Sequence, residues 1–341
     1  MRIRYHINMG VSEPQKLRNV GHYIFLEIAD TNENNREHTI ERHVQSLYFI
    51  YKTKYKQDSI INTMFYKPEE IISGEKIQEL ADLYIGTAED FLWNPRIMEQ
   101  PEKHQLIDDI CPKFDNPHII FVYGHRLAVF SQKIHHFKNV FVLITHNADV
   151  NLSEDNRDVM KILESDKLLG WWGQNLCFVH EKMHPVPIGI ANSMWEHGNV
   201  EDLQQSAVST RSNPMYLNFN EYTNPDKRRP CLNALSNYGI LQMVNFKDHI
   251  QRLAGYATCA CPEGNGVDTH RLWESLYTGC VPVVIRSPFI DTLMYYFGDD
   301  LPLIILDAWD EYDKEKDIPK IERIEALTVE YYRQQIYDLE K

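Results

Sequence analysis

Short apolar runs alternate with amphipathic segments along the middle of the chain. The runs HIIFVYG at 118–124 and NVFVLITHN at 139–147 are apolar over most of their length, which is typical of strands buried on both faces. Helical spacing follows each run, in RLAVFSQKIHHF at 126–137 and DNRDVMKILES at 155–165, and LLGWWGQN at 168–175 is a third strand. Strands that alternate with helices predict βαβ units and a parallel sheet.

The same alternation restarts after a Pro-rich linker at 178–195. We predict a second set of strands and helices there, followed by an amphipathic helix in the tail. The predicted strands are 215–220, 241–246, 257–264, 280–285 and 301–306, and the predicted helices are 225–236, 246–256, 268–279, 289–299 and 321–341.

The first hundred residues are less regular. In KIQELADLYIGTAEDFL at 76–92 the apolar residues recur at helical spacing, which predicts one helix. Taken together, the pattern predicts an α/β protein of two Rossmann-like domains that face a cleft. We place the first domain at 1–190 and the second at 191–320, with the last helix, 321–341, crossing back to the first domain.

Composition limits the classes of ligand. The chain has 341 residues, enough for two domains, and 35 Lys plus Arg against 49 Asp plus Glu give a net charge of −14. This acidity argues against a nucleic-acid partner and means that any phosphate-bearing ligand needs a local basic cluster. We find neither an apolar leader at the start of the sequence nor a membrane-length apolar run, and the six cysteines form no CxxC pair. We therefore expect a soluble, cytoplasmic protein without a membrane span or a metal.

The segment CPEGNGVDTHRLWESLYTGCVPVVI at 261–285 carries the clearest candidate chemistry. Gly264 and Gly266 permit a tight loop and a close approach of the backbone to a ligand. Asp268 or Thr269 can cap the helix that follows the loop. An ordinary loop before a surface helix is the competing interpretation.

The first turn of that helix is basic. His270 and Arg271 lie where the helix dipole favours anions, so cations placed there indicate an anion to bind. Glu274, one turn after His270, can accept hydrogen bonds from a ribose diol. Asn265 lies in the loop beside the two glycines.

A second basic cluster, NPDKRRP at 224–230, follows the first strand of the second domain. Arginine makes bidentate contacts with phosphate and lysine offers a point charge, so we expect one or two of Lys227, Arg228 and Arg229 to contact a pyrophosphate. Asn218 lies at the end of the preceding strand and can bond phosphate or sugar. A solvated basic turn is the alternative.

Candidate catalytic and acceptor residues lie elsewhere. A base is needed to deprotonate an acceptor hydroxyl, and His146 or Asp149 of HNAD can supply it, with Glu263 as a rival. For His146 and Asp149, simple capping of a strand and a turn is the competing interpretation. Trp195, Glu196 and His197 can form an acceptor site, since aromatic rings stack on sugars and carboxylates bind hydroxyls. Packing of Trp195 in a hinge loop is equally compatible with the sequence.

The run P-x-G-N-G-x-D-T-H-R-x-W-E-x-L-x-x-G-C-x-P-V resembles the donor-site signature of exostosin-like glycosyltransferases. HNAD at 146–149, PIGIANSMWEHGN at 187–199 and YLNFN…NPDKRRP at 216–230 resemble other blocks of that family in the same order. The resemblance covers roughly residues 118–310. It is to the soluble exostosin-related enzymes of bacteria and large viruses, and a viral enzyme of this kind would work in the host cytoplasm. Eukaryotic exostosins carry a membrane anchor and lumenal disulfides; we expect no anchor here, so the resemblance does not imply their polymerase role.

The resemblance implies a GT-B fold and transfer of a hexose or pentose from a nucleotide-diphosphate sugar, with uridine as the expected nucleoside and guanosine as the alternative. It implies inversion, no metal or other cofactor, and a glycan or glycoprotein hydroxyl as the acceptor. Two alternatives stay open: a non-catalytic glycan-binding protein of the same fold, and a Rossmann-type sugar-nucleotide-modifying enzyme, for which an early G-x-G-x-x-G is missing. For the glycosyltransferase hypothesis, the expected donor-binding residues are Asn218, Arg228, Arg229, Asn265, Gly266, Asp268, Thr269, His270, Arg271 and Glu274.

Overall fold

A computed structural model describes residues 66–205, 211, 213–239, 241 and 244–339. These residues belong to one compact unit, which contains two sheets. Residues 1–65 of the predicted first domain lie outside the described residues.

Both sheets are parallel throughout. The first sheet has the order β2-β1-β3-β4-β5-β6 and the second has the order β10-β9-β8-β7. The α/β architecture of the protein, with two parallel sheets, confirms the coarse fold class expected from the sequence. The strands are β1 Leu83–Gly86, β2 His104–Leu106, β3 Ile119–Tyr123, β4 Phe141–His146, β5 Leu168–Gly173, β6 Met183–Pro185, β7 Asn213–Tyr216, β8 Tyr256–Ala260, β9 Val281–Ile285 and β10 Ile304–Leu306.

Helices connect these strands, and short 3-10 turns lie between them. The α-helices are α1 Gly74–Gln78, α2 Ala88–Leu92, α3 Pro95–Met98, α4 Leu127–Lys133, α5 Arg157–Leu163, α6 Val200–Gln205, α7 Pro225–Leu235, α8 Phe246–Leu253, α9 His270–Thr278, α10 Pro288–Phe297 and α11 Val329–Asp338. The 3-10 turns are Pro101–Lys103, Ile107–Asp109, Gly124–Arg126, Ile134–His136, Glu196–Gly198, Gly298–Asp300, Trp309–Glu311 and Glu325–Leu327.

The helix predicted over 76–92 is wrong. Helix α1 ends at Gln78, and β1 inserts between β2 and β3 in the first sheet. A new helix, α2, begins after Thr87, whose side chain and that of Asp90 form a capping box. Parallel pairing of β1 with β2 and β3 therefore outweighs the local helical spacing.

Other boundaries differ in smaller ways. The linker predicted at 178–195 contains strand β6. The strand predicted at 241–246 does not form at Val244 or Asn245, and Phe246 already belongs to α8, which Asn245 caps. Gln242 and Met243 lie outside the described residues. The terminal helix begins at Val329 rather than at 321.

Layers on both faces of the first sheet bury its central strands, β3 and β4, completely. Phe130 and Ile162 from α4 and α5 pack with the side chains of one face, while Tyr332 and Ile336 from α11 pack with Trp172 on the other. The last helix thus lies on the first sheet, although it follows the second sheet in sequence. Parallel strands buried in this way are apolar along their whole length, which explains the runs in the sequence.

Three stretches of chain cross between the sheets and bond to each other. Ile190 N donates to Ile72 O at 2.9 Å, and Ile71 forms an antiparallel bridge with Thr328. Gly189 has φ +66°, and a Cβ there would lie 2.2 Å from Ile72 O, so only glycine allows this crossing. The crossing fixes the carbonyl of Gly189 at the junction of the two sheets.

Candidate functional site

The loops at the carboxyl ends of the two sheets meet. Asn175, just after β5, connects them through its side-chain amide. Its Nδ2 donates to Ala148 O at 2.8 Å in the loop after β4, and its Oδ1 accepts from Asp268 N at 3.0 Å in the loop after β8. We call residues 262–268 the glycine loop. Ligands of parallel α/β sheets bind at this edge, so the meeting point is the candidate site.

Asp268 anchors the glycine loop. Its carboxylate is buried and accepts 2.6 Å hydrogen bonds from Trp273 Nε1 and from the backbone N of Ile188. Burial raises the pKa of Asp268 to about 7, against the opposing effect of these donors. The expected helix cap is absent, because Thr269 occupies the N-cap position without a side-chain hydrogen bond. Asp268 therefore holds the loop and is not free for a ligand.

Two arginines contact the Phe219 ring, just beyond β7. Their guanidinium carbons are 6.0 Å (Arg228) and 5.9 Å (Arg271) from the ring centroid. Arg228 donates to Glu263 O at 3.0 Å and to Asn220 O at 2.7 Å, and both acceptors are neutral carbonyls. Burial, with the charge of Arg271, lowers the pKa of Arg228 to about 10.

Neither arginine has a carboxylate partner within 4.0 Å among the described residues. The Nε of Arg271 is enclosed and has no hydrogen-bond partner there. Two adjacent cations repel each other when no carboxylate among the described residues contacts them directly, and the charge of Glu274 acts on Arg271 only at longer range, so the arrangement favours binding of an anion.

Gly264 makes room for this pair. A Cβ on Gly264 would lie 2.8 Å from Nη2 of Arg228, closer than real Cβ contacts. The sequence predicted that this glycine allows a close approach. The structure shows that the group lying close to Gly264 is the Arg228 guanidinium.

The flanking cations point elsewhere. Lys227 is exposed and pairs with Glu263 at 3.2 Å, while Arg229 is exposed and lies 3.4 Å from Glu221. Of the KRR cluster, the structure brings only Arg228 to Arg271. Arg229, expected among the donor residues, is not part of this pair.

A buried polar network lies behind the arginines. Asn218 Nδ2 donates to His249 Nδ1 at 2.9 Å, so His249 Nε2–H donates to Glu274 Oε2 at 3.0 Å. Burial opposes ionisation of Glu274, yet His249 and the charges of His270 and Arg271 hold its pKa below its usual range. Among the described residues Glu274 Oε1 has no hydrogen-bond partner, which leaves one oxygen for a ligand. The sequence analysis missed His249, although it shares the buried face of α8 with Ile250 and Phe246.

The two base candidates of HNAD differ sharply. His146 Nδ1 accepts from Asn147 N at 2.8 Å and Nε2 donates to Pro187 O at 3.0 Å, so its only lone pair is occupied. Burial lowers the pKa of His146 to about 4. Asp149 is exposed, and its Oδ1 lies 3.2 Å from a Cβ placed on Gly266. The geometry thus disfavours His146 as a base and places Asp149 against the glycine loop.

The predicted acceptor residues lie beside His270. Trp195 is 49% exposed, and its ring stacks on His197 at 6.0 Å and 23°. The His197 ring contacts that of His270 at 6.4 Å. Glu196 is exposed in the same 3-10 turn. These rings form an aromatic surface at the edge of the site.

His270 itself is held by the crossing segment. Its Nδ1 donates to Gly189 O at 2.8 Å. Burial lowers its pKa below the usual value, and the charges of His197 and Arg271 act in the same direction.

A cavity of about 610 Å³ adjoins the glycine loop at Pro262, Glu263 and Val267. It opens at the carboxyl ends of β8, β9 and β10, and Trp309, Phe289, Pro262, Thr269 and Glu263 contribute to its walls. Its volume falls within the range of small-molecule sites. Asn265 is exposed at the loop tip.

One metal-binding pattern escaped the sequence prediction. HEKMH at 180–184 matches the HExxH of zinc proteases, which needs a helix to place both histidines on one face. Here the segment is a turn followed by β6, and His184 stacks on Trp172 at 4.5 Å. Over the described ranges, no group of three or more His, Cys, Asp or Glu side chains is placed to hold a metal ion.

Within the same ranges, no helix has the length and apolarity needed to cross a membrane. The sequence matches no protein-family model and no curated protein. The function is therefore inferred from the geometry of the site.

Proposed function

We propose that this chain is a GT-B glycosyltransferase that transfers a sugar from a nucleoside diphosphate donor, with uridine as the nucleoside, to a glycan hydroxyl. The observation that carries the proposal is the arginine pair: Arg228 and Arg271, partly enclosed, without carboxylate partners among the described residues, at the carboxyl edge of a parallel sheet. A diphosphate supplies two or more negative charges and accepts fork-like hydrogen bonds, which suits two guanidinium groups.

The surroundings of the pair support a nucleotide-sugar rather than a free phosphate. The cavity of about 610 Å³ beside the glycine loop has room for a group attached to the diphosphate. The open oxygen of Glu274 can accept a hydrogen bond from a ribose hydroxyl.

The acceptor is proposed to lie on the side of the first sheet. The half-exposed Trp195 ring can stack on a sugar, and Asp149 projects over Gly266, where it can bind a hydroxyl. In the reaction, the arginines stabilise the charge that develops on the leaving diphosphate, a task that a metal performs in other enzymes. The acceptor then attacks from the opposite face, which gives inversion.

Binding of UDP to Arg271→Gln and Arg228→Gln tests this proposal, with Arg229→Gln as the matched control. Loss of a charge-assisted bond costs about 1.5–3 kcal/mol, so each of the first two should weaken UDP binding by roughly 10- to 100-fold. Arg229→Gln should bind like the unaltered protein, because Arg229 pairs with Glu221 at the surface. Equal affinities in all three variants would reject the site. Release of UDP from UDP-sugars, with transfer to an acceptor, separates an enzyme from a non-catalytic glycan-binding protein.

A further inference from the structure

His270 is a histidine at the site whose lone pair is open. A carbonyl oxygen only accepts hydrogen bonds, so the contact of Nδ1 with Gly189 O at 2.8 Å places the proton on Nδ1. In the neutral ring Nε2 then carries the lone pair. Over the residues that the structure describes, Nε2 has no hydrogen-bond partner and is not enclosed.

The orientation of the ring is fixed by rigid backbone. Gly189 is held by the bond from Ile190 N to Ile72 O and by its own left-handed conformation. Proton abstraction requires a base whose orientation is fixed, and a histidine meets this requirement when its other nitrogen donates to a fixed acceptor. His146 lacks it, because both of its nitrogens already have backbone partners.

Burial, more than the neighbouring charges, holds the pKa of His270 below its usual value. Burial lowers its pKa, Glu274 and the Gly189 carbonyl oppose that effect, and His197 and Arg271 reinforce it. These groups come from α9 itself, from the crossing segment and from the 3-10 turn of Trp195. His146, on β4, also interacts with His270.

We propose that His270 is the general base of the transfer, an inference that rests on the proposed function. Nε2 takes the proton of the acceptor hydroxyl while the acceptor oxygen forms its bond to the anomeric carbon. The bond from that carbon to the diphosphate oxygen breaks, and its electron pair stays on the diphosphate beside Arg228 and Arg271. The His197 ring, which contacts that of His270, and the Trp195 ring stacked on His197 hold the acceptor sugar.

The other carboxyl candidates fit less well. Glu263 pairs with Lys227 at 3.2 Å and lines the cavity on the donor side of the loop. Asp149 is exposed, and the structure gives its carboxylate no orienting hydrogen bond among the described residues. It is assigned to binding of the acceptor.

Two variants of the full chain test the assignment. His270→Asn keeps an N–H near Gly189 O but has no base at Nε2, and His270→Gln places an amide near Nε2. Rates are measured as release of UDP from UDP-glucose, UDP-galactose or UDP-xylose, with free monosaccharides as acceptors, and UDP affinity is measured separately. General-base removal costs about 100- to 10,000-fold in kcat, and we expect that loss with UDP affinity within about twofold.

The pH profile provides a readout that a structural role would not move. The base must be unprotonated, so kcat/KM should fall as pH drops through a pKa below 6.5. This fall of kcat/KM at low pH, the acid limb of the profile, should disappear in His270→Asn. It should stay in the control His136→Asn, whose ring lies in the 3-10 turn after α4.

Retained rate with weakened UDP binding would overturn the inference, since His270 would then bind phosphate. Loss of the acid limb in Asp149→Asn, with the limb intact in His270→Asn, would overturn it in favour of Asp149. If the unaltered protein bound no UDP, the proposed function would fall first and this inference with it.

Discussion

Substitution of Gly264 by alanine should damage the donor site without unfolding the protein. The backbone at Gly264 is not left-handed, so alanine introduces no conformational strain there. The new Cβ would lie 2.8 Å from Nη2 of Arg228, and the guanidinium must move. That group is the end of a flexible side chain, so the movement costs little stability. The movement does, however, distort the hydrogen bonds of the guanidinium to Glu263 O and Asn220 O, which are 3.0 and 2.7 Å long.

Displacement of the guanidinium removes a charge-assisted contact to the diphosphate. Such a contact contributes about 1.5–3 kcal/mol, so UDP affinity should fall by roughly 10- to 100-fold. Isothermal titration calorimetry of UDP with Gly264→Ala, Arg228→Ala and the double variant measures whether the loss runs through Arg228. We expect the double variant to bind no more weakly than Arg228→Ala alone, because the two changes remove the same interaction.

The reasoning would be refuted by additive losses in the double variant, or by unchanged UDP binding in Gly264→Ala. A thermal melt of each variant checks folding. A large fall in the melting temperature of Gly264→Ala would show that the loop, rather than Arg228, had been disturbed.

Three further outcomes are expected. Tyr277→Phe should lower the free energy of unfolding by about 1–3 kcal/mol in urea titrations, because the buried hydroxyl accepts from Ile72 N at 2.9 Å and donates to Leu327 O at 2.8 Å. The control Tyr295→Phe, at the surface, should leave the free energy of unfolding unchanged. Trp195→Ala should raise the acceptor KM by up to about tenfold and leave UDP affinity unchanged, since stacking contributes about 0.5–1.5 kcal/mol. Incubation with EDTA should leave transfer rates unchanged, and a loss restored by a divalent cation would contradict the metal-free mechanism.

Much of the fold follows from local patterns. Strands β3 and β4 are buried along their whole length, and β5 and β9 are buried except at Leu169 and Ile285, which explains the apolar runs in the sequence. The glycine loop and the helix after it were found from Gly264, Gly266 and the basic first turn. By contrast, β1 has four residues and exists because β2 and β3 pair with it, a long-range condition that spacing along the chain does not express.

The sequence by itself determined which segments carry the candidate site and which kinds of side chain they offer. Only the tertiary structure decided which of those groups are available. Arg228 rather than Arg229 turns inward because of the way α7 lies on the second sheet, and His249 meets Glu274 across two helices. His146 and His270 are both histidines at the same edge, and Pro187 O and Gly189 O, distant in sequence, fix which nitrogen of each ring carries the proton. The backbone N of Asn147 then occupies the lone pair of His146, while that of His270 has no partner among the described residues. Hydrogen-bond partners supplied by remote backbone set the protonation and orientation of a ring, so no pattern of neighbouring residues can predict them.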